Sequence, residues 1–226
     1  MRTSSSKPRP VAAAGKKGAG PGRPKDLGKR ASILDAAKVM FTRHGFDGAS
    51  MDQIAAEAGV SKLTVYSHFG DKESLFGAAV KAYCEQQLPS SIFERDPEAP
   101  LRERLLDLAR AFYAMATGPE ALAAYRMLCT PQLAGSPLTD LFWQAGPARV
   151  QREFAALLER RIAKGQLDIQ DVPRAAAQFF ALLKGEPHAM AVFGCCRADA
   201  GPGAVEEHLA ASVDLFLRGY AAGRAR

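Results

Sequence analysis

A chain of 226 residues is long enough for one large helical domain or two unequal ones, and its 47% hydrophobic content supplies a core without staples. Cys84, Cys129, Cys195 and Cys196 form no Cys-x-x-Cys pair and meet no histidine at ligand spacing, which argues against a metal site or a disulfide framework and for buried, reduced thiols. No apolar run approaches the ~20 residues of a membrane span or the ~7 to 15 of a signal-peptide core, so a cytoplasmic protein with no membrane partner is expected.

The net charge is +6, and its placement says more than its size. Residues 1–26 hold seven basic side chains, Arg2, Lys7, Arg9, Lys16, Lys17, Arg23 and Lys25, against Asp26 alone; the other 200 residues carry 23 of each sign. A neutral body behind a basic, Pro/Gly/Ala-rich arm points to a polyanion that the arm meets first, with a solubilising tail as the alternative. The arm has too little apolar surface to offset its ordering entropy and is expected to be disordered.

From Leu27 onward, Ile33, Leu34, Ala37, Met40 and Phe41 recur at helical spacing and predict a first helix closed by Gly45, with Phe46 folding back on Phe41. Ser50-Met51-Asp52-Gln53 reads as a capping box opening a short second helix that ends at Gly59. Ser61 can cap a third helix reaching about Phe69, with Val60 stapled to Val65. Two short helices joined by a glycine-containing turn match a helix-turn-helix. Asp71 then caps a fourth helix carrying Leu75, Phe76, Val80 and Tyr83.

The prolines of residues 89–100 mark a linker. Beyond it the periodicity is helical throughout, over 101–116, 120–133, 137–164 with a break at Gly146-Pro147, 172–193 and 204–220. The expected fold class is therefore all-α: an arm over 1–26, a helix-turn-helix domain over 27–72, and a helical bundle over 73–226. Segment 172–193 is apolar nearly all round, which suits a helix facing its own core on one side and a partner chain on the other. Phe179, Leu183, Leu209, Val213, Phe216 and Tyr220 form stripes on the last two helices and predict a two-fold homodimer.

On the third helix Val65 and Phe69 point inward while Lys62, Leu63, Tyr66 and Ser67 lie outward. Lys62 can donate to guanine O6 and N7 in the major groove; Leu63 can cover a thymine methyl or is a scattered surface side chain; Thr64 can meet a base or a phosphate. Gly22-Arg23-Pro24-Lys25 is placed to enter the adjacent minor groove. The body offers no catalytic constellation: His188 follows Pro187 without a partner at triad or metal spacing, and no phosphate loop precedes a helix, so neither an enzyme nor a cofactor is expected. Aromatic and soft side chains on several helices, among them Phe112, Tyr113, Met115, Tyr125, Trp143 and Phe180, can instead line a pocket for a small apolar or aromatic ligand, or can be core. Arg126 reads first as a snorkelling surface residue and alternatively as a ligand contact.

The run Ser50-Met51-Asp52-Gln53-Ile54-Ala55-Ala56-Glu57-Ala58-Gly59-Val60-Ser61, followed by Thr64-Val65-Tyr66-Ser67-His68-Phe69 and Asp71-Lys72-Glu73-Ser74-Leu75, closely resembles the DNA-binding domain of the TetR/AcrR family, over about residues 27–80. A weaker likeness, through Gly146-Pro147-Ala148-Arg149-Val150, Gly165-Gln166-Leu167 and residues 175–185, is to the C-terminal domain of AefR-like members, with a departure in the loop of residues 129–141. The resemblance implies a homodimeric repressor that binds a near-palindromic double-stranded operator, is released by a small ligand and controls efflux or detoxification genes. It implies phosphate contacts from Tyr66, His68 and Lys72, with Ser50 reaching another from the second helix. A DNA-organising factor of the same fold, without an inducer, is the alternative.

Overall fold

In the computed structural model of the chain, which describes residues 26–94, 98–195 and 203–223, the architecture is helical apart from one isolated antiparallel bridge between Leu167 and Ala221. The expectations for the arm, including Arg23 and Lys25, lie outside the described residues. Helix α1 (Leu27–Gly48) opens on the Asp26 carboxylate, which accepts from the Gly28 and Lys29 amides at 3.0 and 3.3 Å. Gly45, at φ 70°, ends its regular part, and Phe46 turns back to stack on Phe41 at 5.8 Å between centroids.

The next three helices begin where side chains can satisfy their orphan amides. Helix α2 (Met51–Glu57) carries the full capping box: Ser50 Oγ accepts from the Gln53 amide at 3.2 Å while Gln53 Oε1 accepts from the Ser50 amide at 2.9 Å. Helix α3 (Lys62–Phe69) is capped by Ser61, and α4 (Lys72–Gln87) by Asp71, whose carboxylate accepts from Ser74 at 2.7 Å. Together they form a head around Ile33, Ile54, Val65 and Leu75, all fully buried. Phe76 and Ala79 belong to this same core, so head packing continues along α4 past the expected boundary at residue 72.

The proline-flanked linker is not a bare connection. Leu88 and Phe93 are buried, the latter within the single turn α5 (Ser91–Glu94). Three arginines of the body take up the carbonyls of this stretch: Arg149 donates to Leu88 O at 2.9 Å, Arg160 to Phe93 O at 2.9 Å and Arg104 to Ile92 O at 2.5 Å.

The body comprises α6 (Leu101–Ala116), α7 (Pro119–Leu128), α8 (Pro137–Ala145), α9 (Pro147–Ala163), α10 (Val172–Phe193) and α11 (Ala204–Tyr220). Its centre is aromatic: Phe154 stacks on Phe179 at 4.5 Å, and Phe179 meets Phe216 edge-on at 5.0 Å. Two elements differ from the expected pattern, both because of proline. Helix α7 stops at Leu128 rather than near residue 133, since Pro131 has no N–H for Met127 O, and Thr130 Oγ1 donates to that carbonyl instead at 2.8 Å. Helix α10 breaks at Gly185 (φ 46°, ψ −156°) because Pro187 cannot donate to Leu183 O four residues back. Helix α11 satisfies the exposed carbonyls: His208 Nε2 lies 2.9 Å from Leu183 O, and Ser212 Oγ donates to Leu182 O at 3.3 Å.

This packing corrects the expected dimer stripe. Phe179, Leu183, Leu209, Val213 and Phe216 are each at most 2% exposed within the single chain, so their side chains fill its own core. Tyr220 is half-buried against Phe216 and donates to Gln178 Oε1. The groove left open between α10 and α11 is lined by Phe216 and Tyr220 of that stripe together with outward neighbours, including Ala181, Leu182, His208, Leu215 and Gly219. The reason is geometric: both helices have apolar residues on two faces, and the bulkier set went inward. Among the described residues no helix is long and apolar enough to cross a membrane.

Candidate DNA-reading surface and ligand cavity

Helix α3 is held against the head by Val65 and Phe69, which leaves Lys62, Leu63, Tyr66 and Ser67 facing outward. Leu63 is 78% exposed at the start of the helix, where it is free to meet a partner surface. Lys62 is tied to Asp52 of α2 at 2.8 Å, a hydrogen bond that raises the ammonium pKa. Both partners are exposed, so water or a nucleic acid can exchange for the pair. Thr64 is half-buried, with its hydroxyl 2.8 Å from Ser61 Oγ, and Ser50 is committed to its capping box. His68 is half-buried beside Phe69, with Nδ1 buried and unpartnered.

Lys72, expected to meet a phosphate, also holds the local backbone. Its ammonium donates to Phe46 O at 2.8 Å and Ala49 O at 3.1 Å and sits 4.3 Å above the Phe46 ring. Two of its three donors thus pin the α1–α2 turn. Arg30, which nothing in the sequence singles out, lies 4.5 Å over the Phe69 ring and ties α1 to α3.

Behind the head, at its junction with the body, lies a cavity of ≈ 110 Å³. Phe112, Met115, Tyr125, Trp143 and Phe180 all line it. Tyr113 and Arg126 do not. Tyr113 is the neighbour of Phe112 on α6 and is turned into the surrounding core, about 100° away along the helix. Arg126 donates to Ala191 O and Val192 O at 2.7 and 2.6 Å, capping the C-terminal turn of α10.

The unexpected part of the wall comes from the head. Lys38, Phe41 and Thr42 of α1, and Phe76, Val80 and Tyr83 of α4, share the cavity with the body helices. No local pattern announces this, because it arises from α1 packing on α7. A direct contact crosses that junction: the Phe46 amide donates to Met127 Sδ at 3.0 Å, and Met127 is itself a lining residue. Burial dominates the titrations of the wall. It pushes the Tyr83 hydroxyl up to about 12 and the Cys84 thiol up to about 11, so Cys84 stays a thiol and behaves as an apolar side chain. Tyr83 donates to Met115 O at 2.8 Å, joining α4 to α6.

Comparison with known proteins agrees with this layout. Residues 33–79 match the family described as bacterial regulatory proteins, tetR family, and residues 103–222 match the AefR-like transcriptional repressor C-terminal domain. The regulator RutR of Escherichia coli is 34% identical over 116 residues, 49% of this chain and 50% of RutR; in that match the chain spans about half the length of its relative. The crystal structure of a TetR-family regulator from Mesorhizobium loti superposes with a TM-score of 0.73 at 31% identity, covering 85% of this chain and 96% of that one. The flavonoid-responsive regulator FrrA superposes with a TM-score of 0.67 at 33% identity, covering 87% and 98% respectively. The chain belongs to the TetR family of bacterial transcriptional regulators, with the C-terminal domain of the AefR-like repressors.

Proposed function

We propose that the chain is a homodimeric repressor that reads a near-palindromic operator through α3 and is released when a small apolar or aromatic molecule fills the cavity. The observation that carries this reading is the composition of the cavity wall, in which α1 and α4 of the head meet α6, α7, α8, α9 and α10 of the body. A molecule bound there touches both units, so it can prefer one arrangement of head on body over another, as coupling between two sites requires. The similarity to FrrA, named for its response to flavonoids, supports an aromatic effector, and control of efflux or detoxification genes is part of the same proposal. In this reading Lys62 and Leu63 carry base contacts, Thr64 a base or phosphate contact, and Ser50, Tyr66 and His68 phosphate contacts. Lys72 contributes by holding the turn that presents α2 and by its remaining donor.

A gel-shift assay with the DNA flanking the chain's own gene tests the repressor reading. One shifted species at nanomolar protein, competed by the same DNA and not by an unrelated duplex, is expected. Lys62→Ala is expected to weaken the best site about tenfold or more and to relax base preference at one position per half-site. Equal binding to all duplexes would favour the DNA-organising alternative.

A further inference from the structure

The polar groups in the cavity wall differ in how they are neutralised. Lys38 is paired with Asp35 at 2.8 Å and donates to Gln86 Oε1 at 3.2 Å. Glu120 is exposed and acts on Tyr83, whose pKa it helps to raise. Lys184 has no carboxylate partner of this kind, only a ring. Among the described residues no carboxylate lies within ion-pair distance of it, and its ammonium stands 5.9 Å from the centre of the Tyr125 ring. Burial lowers its pKa and no acid opposes the shift. Its charge reaches one turn further, to His188, a histidine only 8% exposed whose Nε2 is buried without a partner. Burial first, and then the Lys184 charge, holds that imidazole below its ordinary pKa.

An ammonium in an apolar wall is unfavourable unless something of opposite charge joins it. The rest of the wall says what shape that partner has. Phe112 and Phe180, 4.5 Å apart between centroids, share this wall with Lys184 and Tyr125. The volume of ≈ 110 Å³ is of the order that accepts a single aromatic ring, and the half-exposed Trp143 marks where a larger ligand would project into solvent.

We propose that the effector is a flat aromatic acid whose anionic group pairs with Lys184 and whose ring lies among Phe112, Phe180 and Tyr125. This assignment rests on the ligand-released reading above and adds the charge of the ligand to it. Lys184 immediately precedes the Gly185 break, whose exposed carbonyl is held by His208 of α11. An anion drawing on Lys184 therefore acts at the point where α10 is joined to α11.

The test uses matched acids and amides of one shape: benzoate and benzamide, 2-naphthoate and 2-naphthamide, biphenyl-4-carboxylate and its amide. Binding to the full chain at neutral pH is followed by calorimetry and by the emission of Trp143, with operator affinity measured alongside. The acid is expected to bind at least tenfold tighter than its amide in each pair that binds. Lys184→Met is expected to reduce that preference to less than twofold, and Lys184→Arg to retain it. Lys184→Met should leave the melting temperature unchanged or raise it, since it removes a half-buried ammonium that has no carboxylate partner among the described residues, which guards against a folding defect. Amides that bind as tightly as their acids, or an acid preference that survives Lys184→Met, would overturn the charge assignment; if those amides also release the operator, the ligand-released reading stands without it. If neither member of any pair binds while operator DNA does, the cavity reading fails and the inference with it.

Discussion

Gly185 concentrates the behaviour of α10 in one residue. Its φ of 46° with ψ of −156° is a conformation that side chains avoid, and a Cβ built there would lie 2.8 Å from His208 Cε1. Gly185→Ala is therefore expected to cost about 1 to 3 kcal/mol, read as a lowered melting temperature, and to displace the His208 ring from Leu183 O. His188 supplies a second test at this scale. Its folded-state pKa lies below the unfolded value near 6.5, so the unfolded chain binds the extra proton first. Its contribution to stability is thus complete above pH 6.5, falls as the pH drops through that value, and levels off below the folded pKa. The melting temperature should drop more steeply between pH 7.5 and 5.5 in the native chain than in His188→Gln; parallel profiles would show that His188 is not held neutral. Residue roles were legible where neighbours in sequence define them. Ser50 and Gln53 cap each other across three positions, so their roles could be read directly. Lys72 could not be read that way, since the carbonyls that hold it belong to Phe46 and Ala49, more than twenty positions away.

At the scale of elements, periodicity located the helices, and glycine and proline decided where several of them stop or break. Gly146-Pro147 was readable as a break because glycine and proline coincide there, and α8 and α9 meet at that point. Pro187 alone, inside an apolar run, gave the weaker signal, and the break falls two residues before it. Which face of an apolar helix turns inward was not readable, since α10 and α11 have two candidate faces each and only packing against Phe154 chooses between them. The face left outward carries Leu215, 49% exposed, beside the groove of α10 and α11. If that groove is where two copies join, Leu215→Glu should yield a folded monomer by sedimentation at micromolar concentration and lose operator affinity, because half-sites are held together by the dimer. A Leu215→Glu protein that still sediments as a dimer would place the interface elsewhere.

Across the whole molecule, head and body share one cavity rather than meeting at a simple hinge. Two routes leave it: α4, which begins beside the reading helix and ends in the body, and the Met127 to Phe46 contact, which reaches the turn that Lys72 holds. The second route depends on a contact between residues 81 positions apart, which no local sequence pattern announces. The central claim is that occupancy of this cavity and grip on DNA are coupled. It is tested most directly by titrating 2-naphthoate into the chain bound to fluorescently labelled operator, with Trp143 emission and operator anisotropy recorded in the same cuvette. A coupling of ~1 to 3 kcal/mol predicts an operator affinity about 5- to 150-fold weaker at saturation, with both signals following one binding curve. Saturation of the Trp143 signal with operator affinity unchanged would contradict it.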